Sequence, residues 1–390
     1  MSMINKNLGY YICNGQEFSS KIKALLYSNE VNEPADWVFN DKIFKSYNWK
    51  IEPEETLDEL YDRRARQLRN EYDYVILSYS GGADSHNILM SFVRQGLHID
   101  EILVNHFEKA AGKFVDLNPA NKDARNAGAE HYLQTLPRLK EIAPKIPKTK
   151  ITLADMSDHL FGLMENTGDA SWILSKREGL NPAGATRFNY LYLTEVRKRF
   201  DKEKSVCMII GVEKPKVIIS TKGHVIMNFI DRSANQQTVS EHLTDYNNST
   251  AEFFYWSPDC VPLLIKQGHV IKKYLSANPQ MQKFWHLENN TYQASRLIHE
   301  PILRSLLYST WDASYWQADK STSDWYSEFD LWFKDGYSNS KAVNVWQEGV
   351  DYVSSKLSNH LLDSGDGLKR FRKYYDLGPL PGLLPEYMPK

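Results

Sequence analysis

The 390-residue chain is 42% hydrophobic and 25% charged, with a net charge of −2, which describes an ordinary globular protein long enough for a large core and more than one domain. The near-neutral balance excludes a chain-wide electrostatic attraction to nucleic acid, while a local basic patch is still allowed. Cys13, Cys207 and Cys260 are too far apart for a disulfide framework or a paired-cysteine zinc site. No apolar run reaches membrane-spanning length and no secretory signal opens the sequence, so a reducing cytoplasm is the expected compartment, with no membrane partner.

Residues 1–72 read as a leader too short for most independent catalytic domains. Tyr10-Tyr11-Ile12 predicts a strand, Phe18 to Leu26 a short helix, and Glu30 to Trp49 an irregular stretch with aromatic anchors at Trp37, Phe39, Phe44 and Trp49. Glu54 to Tyr72 predicts a helix with Leu57, Leu60, Tyr61, Leu68 and Tyr72 near one face. Arg63, Arg64, Arg66 and Arg69 fall on its other sides, expected as a solvated face paired with Glu55, Asp58, Glu59 and Asp62. Phosphate contact is the lesser alternative for these arginines. The aromatic share of 13% is high, and it serves either core packing or stacking surfaces.

From Asp73 the pattern changes to a short apolar run, Tyr74 to Leu77, followed by Ser80-Gly81-Gly82-Ala83-Asp84-Ser85. Ile88, Leu89, Phe92 and Val93 then repeat at helical spacing up to Gly96. A glycine pair between strand and helix lets backbone approach a ligand, and the helix start supplies N–H groups to an anion. Ser80 and Ser85 add hydroxyl donors. Asp84 cannot bind a phosphate directly, so its carboxylate is the expected magnesium ligand.

The loop SYSGGADS resembles the pyrophosphate-binding loop of the PP-loop ATP pyrophosphatases, also called adenine nucleotide alpha hydrolases. Ser80, Gly81, Gly82, Asp84 and Ser85 match every fixed position, and no Walker-type Gly-Lys-Ser/Thr run occurs. The resemblance implies an α/β fold of the Rossmann-like HUP kind, with a parallel sheet. It also implies that ATP is split between its α- and β-phosphates, with ATP and Mg2+ held by residues 80–85. It makes Asp84, Ser80 and Ser85 catalytic candidates and Asp84 the metal ligand. Beyond residues 70–230 the family pattern carries little, although the leader, the GVEKP turn and the aromatic second half are similar to bacteriophage PP-loop proteins labelled asparagine-synthetase-like; a phage origin would make the host cytoplasm the compartment.

Glu101 to Phe107 predicts a second strand, parallel to the first through a crossover helix. In the family the end of this strand carries the adenine edge, which makes Asn105, His106 and Phe107 candidates for base contact. For His106 a satisfied core histidine is an equal alternative. Asn121 to Ile146 predicts a helix interrupted near Pro137, Lys150 to Leu153 a third strand, Ser157 to Leu163 and Thr186 to Phe200 helices, and Val206 to Gly211 a fourth strand. Gly211, Glu213 and Lys214 then fall at the strand ends where open α/β sheets bind ligands. Lys214 is expected either to neutralise pyrophosphate or an acceptor carboxylate, or to be a surface turn residue. Lys216 to Ile219 and His224 to Ile230 predict a hairpin appended to the sheet.

After about Asp231 the alternation of strands and helices is expected to stop, giving a division into a leader (1–72), a PP-loop domain (73–230) and a mainly helical, aromatic-rich region (231–390). A helix is expected near Val261 to Leu275, capped by Ser257 or Asp259, with a reactive thiol of lowered pKa as the lesser alternative for Cys260 beside its start. Lys369, Arg370, Arg372 and Lys373 form the sharpest basic cluster, expected as a solvated helix face, with closure over phosphates or nucleic-acid contact as alternatives.

The resemblance also narrows the chemistry. The sequence opens Met1-Ser2-Met3 rather than on the nucleophilic cysteine of a glutaminase domain, and three cysteines cannot supply the four-cysteine zinc site of deazaguanine synthases. Thiolating relatives need cysteine pairs or a cluster, and sulfonucleotide reductases a C-terminal cysteine. What is left is a ligase-like enzyme that adenylates an unidentified acceptor for amidation or a related substitution. A silent nucleotide sensor and a nucleic-acid base modifier are the alternatives.

Overall fold

A computed structural model describes residues 4–106, 108–112, 128, 130–155, 157, 204–211, 215–231, 249–287, 298–312, 340–360, 368 and 370–384. The strands are β1 Tyr10–Cys13, β2 Gln16–Phe18, β3 Ala35–Val38, β4 Tyr74–Ser78, β5 Glu101–His106, β6 Lys150–Asp155, β7 Val206–Ile210, β8 Lys216–Ile219, β9 His224–Ile230, β10 Ser249–Phe253 and β11 Arg372–Pro379. The helices are α1 Lys21–Val31, α2 Asp41–Phe44, α3 Leu57–Glu71, α4 Ala83–Arg94, α5 Glu108–Ala111, α6 Leu136–Ile142, α7 Val261–Ala277, α8 Gln282–Trp285, α9 Glu300–Leu307 and α10 Lys341–Lys356. None of the described helices is long and apolar enough to cross a membrane. The predicted helices at 158–163 and 186–200 lie outside the described residues, as does 121–127.

Five strands form a parallel sheet in the order β10-β7-β4-β5-β6. The mixed α/β arrangement is compatible with a Rossmann-like domain. β7 is buried along its whole length, the continuous apolar run of a strand covered on both faces. Strand order runs from β4 outward to β5 and β6, then returns to the other side of β4 for β7 and β10. The order therefore reverses between β4 and β7, where ligands bind at the carboxyl ends of such sheets.

β10 corrects the expectation that strands end near residue 231. Its sequence, STAEF, has little strand signature. It is a strand because β7 offers an edge, with Thr250 opposite Cys207 and Phe253 opposite Ile210. The basic cluster is likewise no helix face. Arg372 and Lys373 open β11, whose alternation buries Tyr375 and Leu377 and turns Arg372 and Tyr374 outward. Lys373 pairs with Asp36 at 3.2 Å and Asp41 at 3.4 Å, while Lys369 lies outside the described residues.

The β8–β9 hairpin forms as expected, turning at Gly223 (φ +74°), but it joins β11 in a separate antiparallel sheet of order β11-β9-β8. A third sheet, β2-β1-β3, is built from the leader. Its β3 lies in the stretch expected to be irregular, where pairing of Trp37 with Tyr11 supplies what local propensity does not. The first helix also starts later than expected. Ser20 accepts a bond from the Lys23 amide and caps α1, so Phe18 ends β2 instead.

Aromatic residues from all three segments fill one junction. Phe229 on β9 meets Phe39 at 5.6 Å, Phe44 at 5.4 Å and Trp256 at 4.9 Å between ring centroids. Trp49 stacks on Tyr375 at 4.5 Å beside it. Core packing is therefore what these rings do.

Helix α3 starts at a capping box formed by Thr56 and Glu59. Its arginines are not one solvated face. Arg63 does pair with Glu55, but Arg64 is buried, bonding Glu252 at 3.1 Å and the Phe253 carbonyl at 2.8 Å. Arg69 reaches Asp100, and Asp62 is taken by Arg94 of α4. The reason is neighbouring structure: β10 and α4 lie beside α3, so Arg64 finds Glu252 on the one and Asp62 finds Arg94 on the other.

Candidate functional site

The loop leaves β4 while still attached to the sheet, since the Tyr79 amide donates to the Leu103 carbonyl at 2.9 Å. Ser80 is exposed. Gly81 then takes φ +70°, and a Cβ there would stand 2.7 Å from the Thr135 Cα. No side chain fits, because both the left-handed backbone and the neighbouring main chain forbid it. Gly82 is the N-cap of α4 and contributes no side-chain cap.

The first helical donor is the His86 amide, which bonds the Gly82 carbonyl at 2.9 Å. Ala83, Asp84 and Ser85 precede it, so the helix itself does not use their N–H groups. With the helix dipole they favour an anion at this end. Two hydroxyls set the shape of the loop. Ser85 Oγ accepts from the Ser80 amide at 3.2 Å, and Ser80 Oγ accepts from the Gly82 amide at 3.3 Å. Gly211 follows β7 across the reversal point. A Cβ on it would lie 3.4 Å from the Ser85 nitrogen and 3.2 Å from Ile88 Cδ1, so its lack of a side chain lets β7 close against the first turn of α4.

The Asp84 carboxylate accepts a hydrogen bond from the Tyr308 phenol, just past α9. The Tyr255 hydroxyl donates to the Asp84 carbonyl at 2.8 Å and accepts from Asn87 at 3.1 Å. Tyr61 extends the cluster by donating to the Leu307 carbonyl at 3.0 Å. Burial, with the Asp84 charge among the further causes, pushes Tyr308 and Tyr255 well above the usual tyrosine range. Both therefore remain protonated donors at any ordinary pH.

Among the described residues no group of three His, Cys, Asp or Glu side chains stands ready for a metal. One carboxylate beside a phosphate loop fits magnesium all the same, because that ion takes one or two carboxylates, substrate phosphates and water.

A single π-helical turn, His131–Thr135, leans over the loop. Thr135 Oγ1 donates to the Ser80 carbonyl at 2.6 Å and so ties the turn to the loop backbone. Gln134 is only 2% exposed, and its Nε2 lies 3.6 Å from where a Gly82 Cβ would be. The expected helix break at Pro137 appears here, with Pro137 in the first turn of α6. At the far side of the turn, His131 stacks on His106 with centroids 4.7 Å apart. Burial first, and then the neighbouring His106, push His131 down to about 4. Asn105 and His106 thus stand at the end of β5, joined to the loop of residues 80–85 through residues 131–135. Under the first turn of α4, His86 bonds the Tyr79 hydroxyl at 3.0 Å and is also pushed down to about 4, mainly by burial.

The fold therefore brings together Ser80, Gly81, Gly82, Ala83, Asp84, Ser85 and Gly211, with Asn105 and His106 on the adjoining strand end. Phe107, Glu213 and Lys214 lie outside the described residues. Cys260 does not become a reactive thiol. It is buried, donates to the Phe254 and Tyr255 carbonyls, and is pushed up to about 11 by that burial. Tyr255, Tyr308, His131, Gln134 and Thr135 escaped the reading of the sequence. Tyr308 is 224 positions from Asp84, and no local spacing joins them. Only the Pro137 interruption marked the π turn. Neither a protein-family model nor a curated protein matches the chain.

Proposed function

We propose that this chain is an ATP-dependent adenylating enzyme of the PP-loop ATP pyrophosphatase type, its sheet the HUP variety of the Rossmann-like fold. The observation that carries the reading is the Ser80–Ser85 loop, which joins β4 to α4 at the carboxyl end of a parallel sheet where strand order reverses. The N–H groups that open α4, with the Ser80 and Ser85 hydroxyls, hold the β- and γ-phosphates. Asp84 would hold Mg2+, and the ion would supply charge neutralisation for the departing pyrophosphate. Tyr308 and Tyr255 fix Asp84 from behind, and Asn105 and His106 border the base.

An oxygen of the acceptor attacks the α-phosphorus, the bridging P–O bond to the β-phosphate breaks, and pyrophosphate leaves with the electron pair. An amine or similar nucleophile then displaces AMP from the acceptor. Orientation and charge stabilisation do this work, so no enzymic nucleophile is required.

A nucleotide sensor is the second reading, favoured by the Tyr308 hydrogen bond that already occupies an Asp84 oxygen. Incubation with ATP, Mg2+ and a cell metabolite extract, followed by mass spectrometry, separates the two. The enzyme releases AMP and pyrophosphate, and Asp84→Ala lowers that release by at least about a hundredfold. Release of ADP instead, or an Asp84→Ala variant as active as the wild type, rejects the proposal. Binding of ATP with no product selects the sensor.

A further inference from the structure

We infer that Gln134 is a polyphosphate-contact residue, whose side-chain amide donates to a phosphate oxygen seated in front of Gly82. The inference rests on reading residues 80–85 as an anion site and adds to it a donor from a different element. Gln134 is 2% exposed, and no hydrogen bond among the described residues ends on its side-chain amide. Its place beside the loop says what the amide can meet. A Cβ on Gly82 would stand 3.2 Å from Ser80 Oγ and 3.6 Å from Gln134 Nε2, so those two groups flank the open face of the glycine. A phosphate oxygen resting on that face is offered a hydroxyl, an amide and the opening turn of α4 together.

The position of Gln134 is held rather than incidental. Leu136 bonds back to the His131 carbonyl, a five-residue step that inserts one residue into the turn. Thr135, the next residue, is anchored on the Ser80 carbonyl at 2.6 Å. The π turn therefore delivers the Gln134 amide to the loop and cannot slide along it. A neutral amide also suits a ligand that must leave, since it orients a phosphate oxygen without the strong retention of a buried cation.

Calorimetric titration of the full chain with Mg2+-pyrophosphate and, separately, with AMP tests this. Gln134→Met keeps the side-chain volume and removes the donor, and is expected to weaken pyrophosphate roughly tenfold while AMP changes less than about twofold. Gln134→Glu, isosteric but anionic, is expected to weaken pyrophosphate about a hundredfold. Thermal melts establish that each variant is folded, and if Gln134→Met is not, Gln134→Glu decides by the same comparison. Unchanged pyrophosphate affinity in the folded variants overturns the inference and leaves the loop reading standing. Equal loss of pyrophosphate and AMP also overturns it, because the amide would then only shape the loop. A wild-type chain that binds neither ligand removes the anion site itself, and the inference with it.

Discussion

Around Phe229 each ring meets another ring, whereas the groups nearest the open face of Gly82 are a hydroxyl and an amide. Both regions are assembled from distant parts of the chain. In the aromatic junction the distant parts satisfy one another, so burial is complete and its benefit is stability. At the loop of residues 80–85 they bring polar groups to the start of α4, where the proposed function places the phosphates. The contrast separates what holds this protein together from what it is shaped to hold.

The comparison can be broken from either side. Phe229→Ala removes the hub of the junction and is expected to lower stability by about 3–5 kcal/mol, measured by urea unfolding. Its remaining folded fraction should bind ATP as the wild type does, and a parallel loss of affinity would mean that the two regions are coupled. Gly82→Val is the converse. Gly82 has an ordinary extended backbone, and its Cβ would meet only side-chain atoms. The expected result is a change in stability under about 1 kcal/mol and a fall in ATP affinity of roughly a hundredfold, about 2.7 kcal/mol. Retained affinity by calorimetry would remove the phosphate from the space assigned to it.

The smallest effect is a pH dependence beneath the loop. His86 is held at about 4 by burial first and then by Arg138 and Lys145, below the ordinary histidine value of 6.5. Between those values the unfolded chain binds more protons than the folded one, so this residue's share of stability is lost as pH falls from 6.5 towards 4. His86→Gln is expected to flatten the fall in urea midpoint across that window. An identical slope in the two proteins would show that His86 is not held neutral by the fold.

Much of the site could be read from local pattern. The strand, the glycine pair, the two serines and Asp84 lie within a dozen residues, and the geometry of each depends on its neighbours in sequence. The helix at Val261–Ala277 was equally readable, because an apolar period is a local signal, but the expected cap was not: Ser257 caps the short turn Pro258–Cys260, and the helix itself starts without a side-chain cap. β10 and β11 were not. STAEF becomes a strand only beside β7, and RKYYDLGP only beside β9, so helix and strand could not be told apart until the partner edge was present. Arg64 shows the same limit for charge. Its helix position is evident, but its burial depends on Glu252 and Phe253, 188 and 189 residues away.

Short-range order in the chain thus dictated the glycine loop, the strands of high apolar content and the helix that follows the glycines, since backbone freedom and periodic burial act over a few residues. Folding in three dimensions decided which tyrosine reaches Asp84, which amide looks into the space before Gly82 and which edge completes the sheet. Those outcomes rest on hydrogen bonds and packing between segments tens to hundreds of residues apart, and interactions of that range leave no spacing to read.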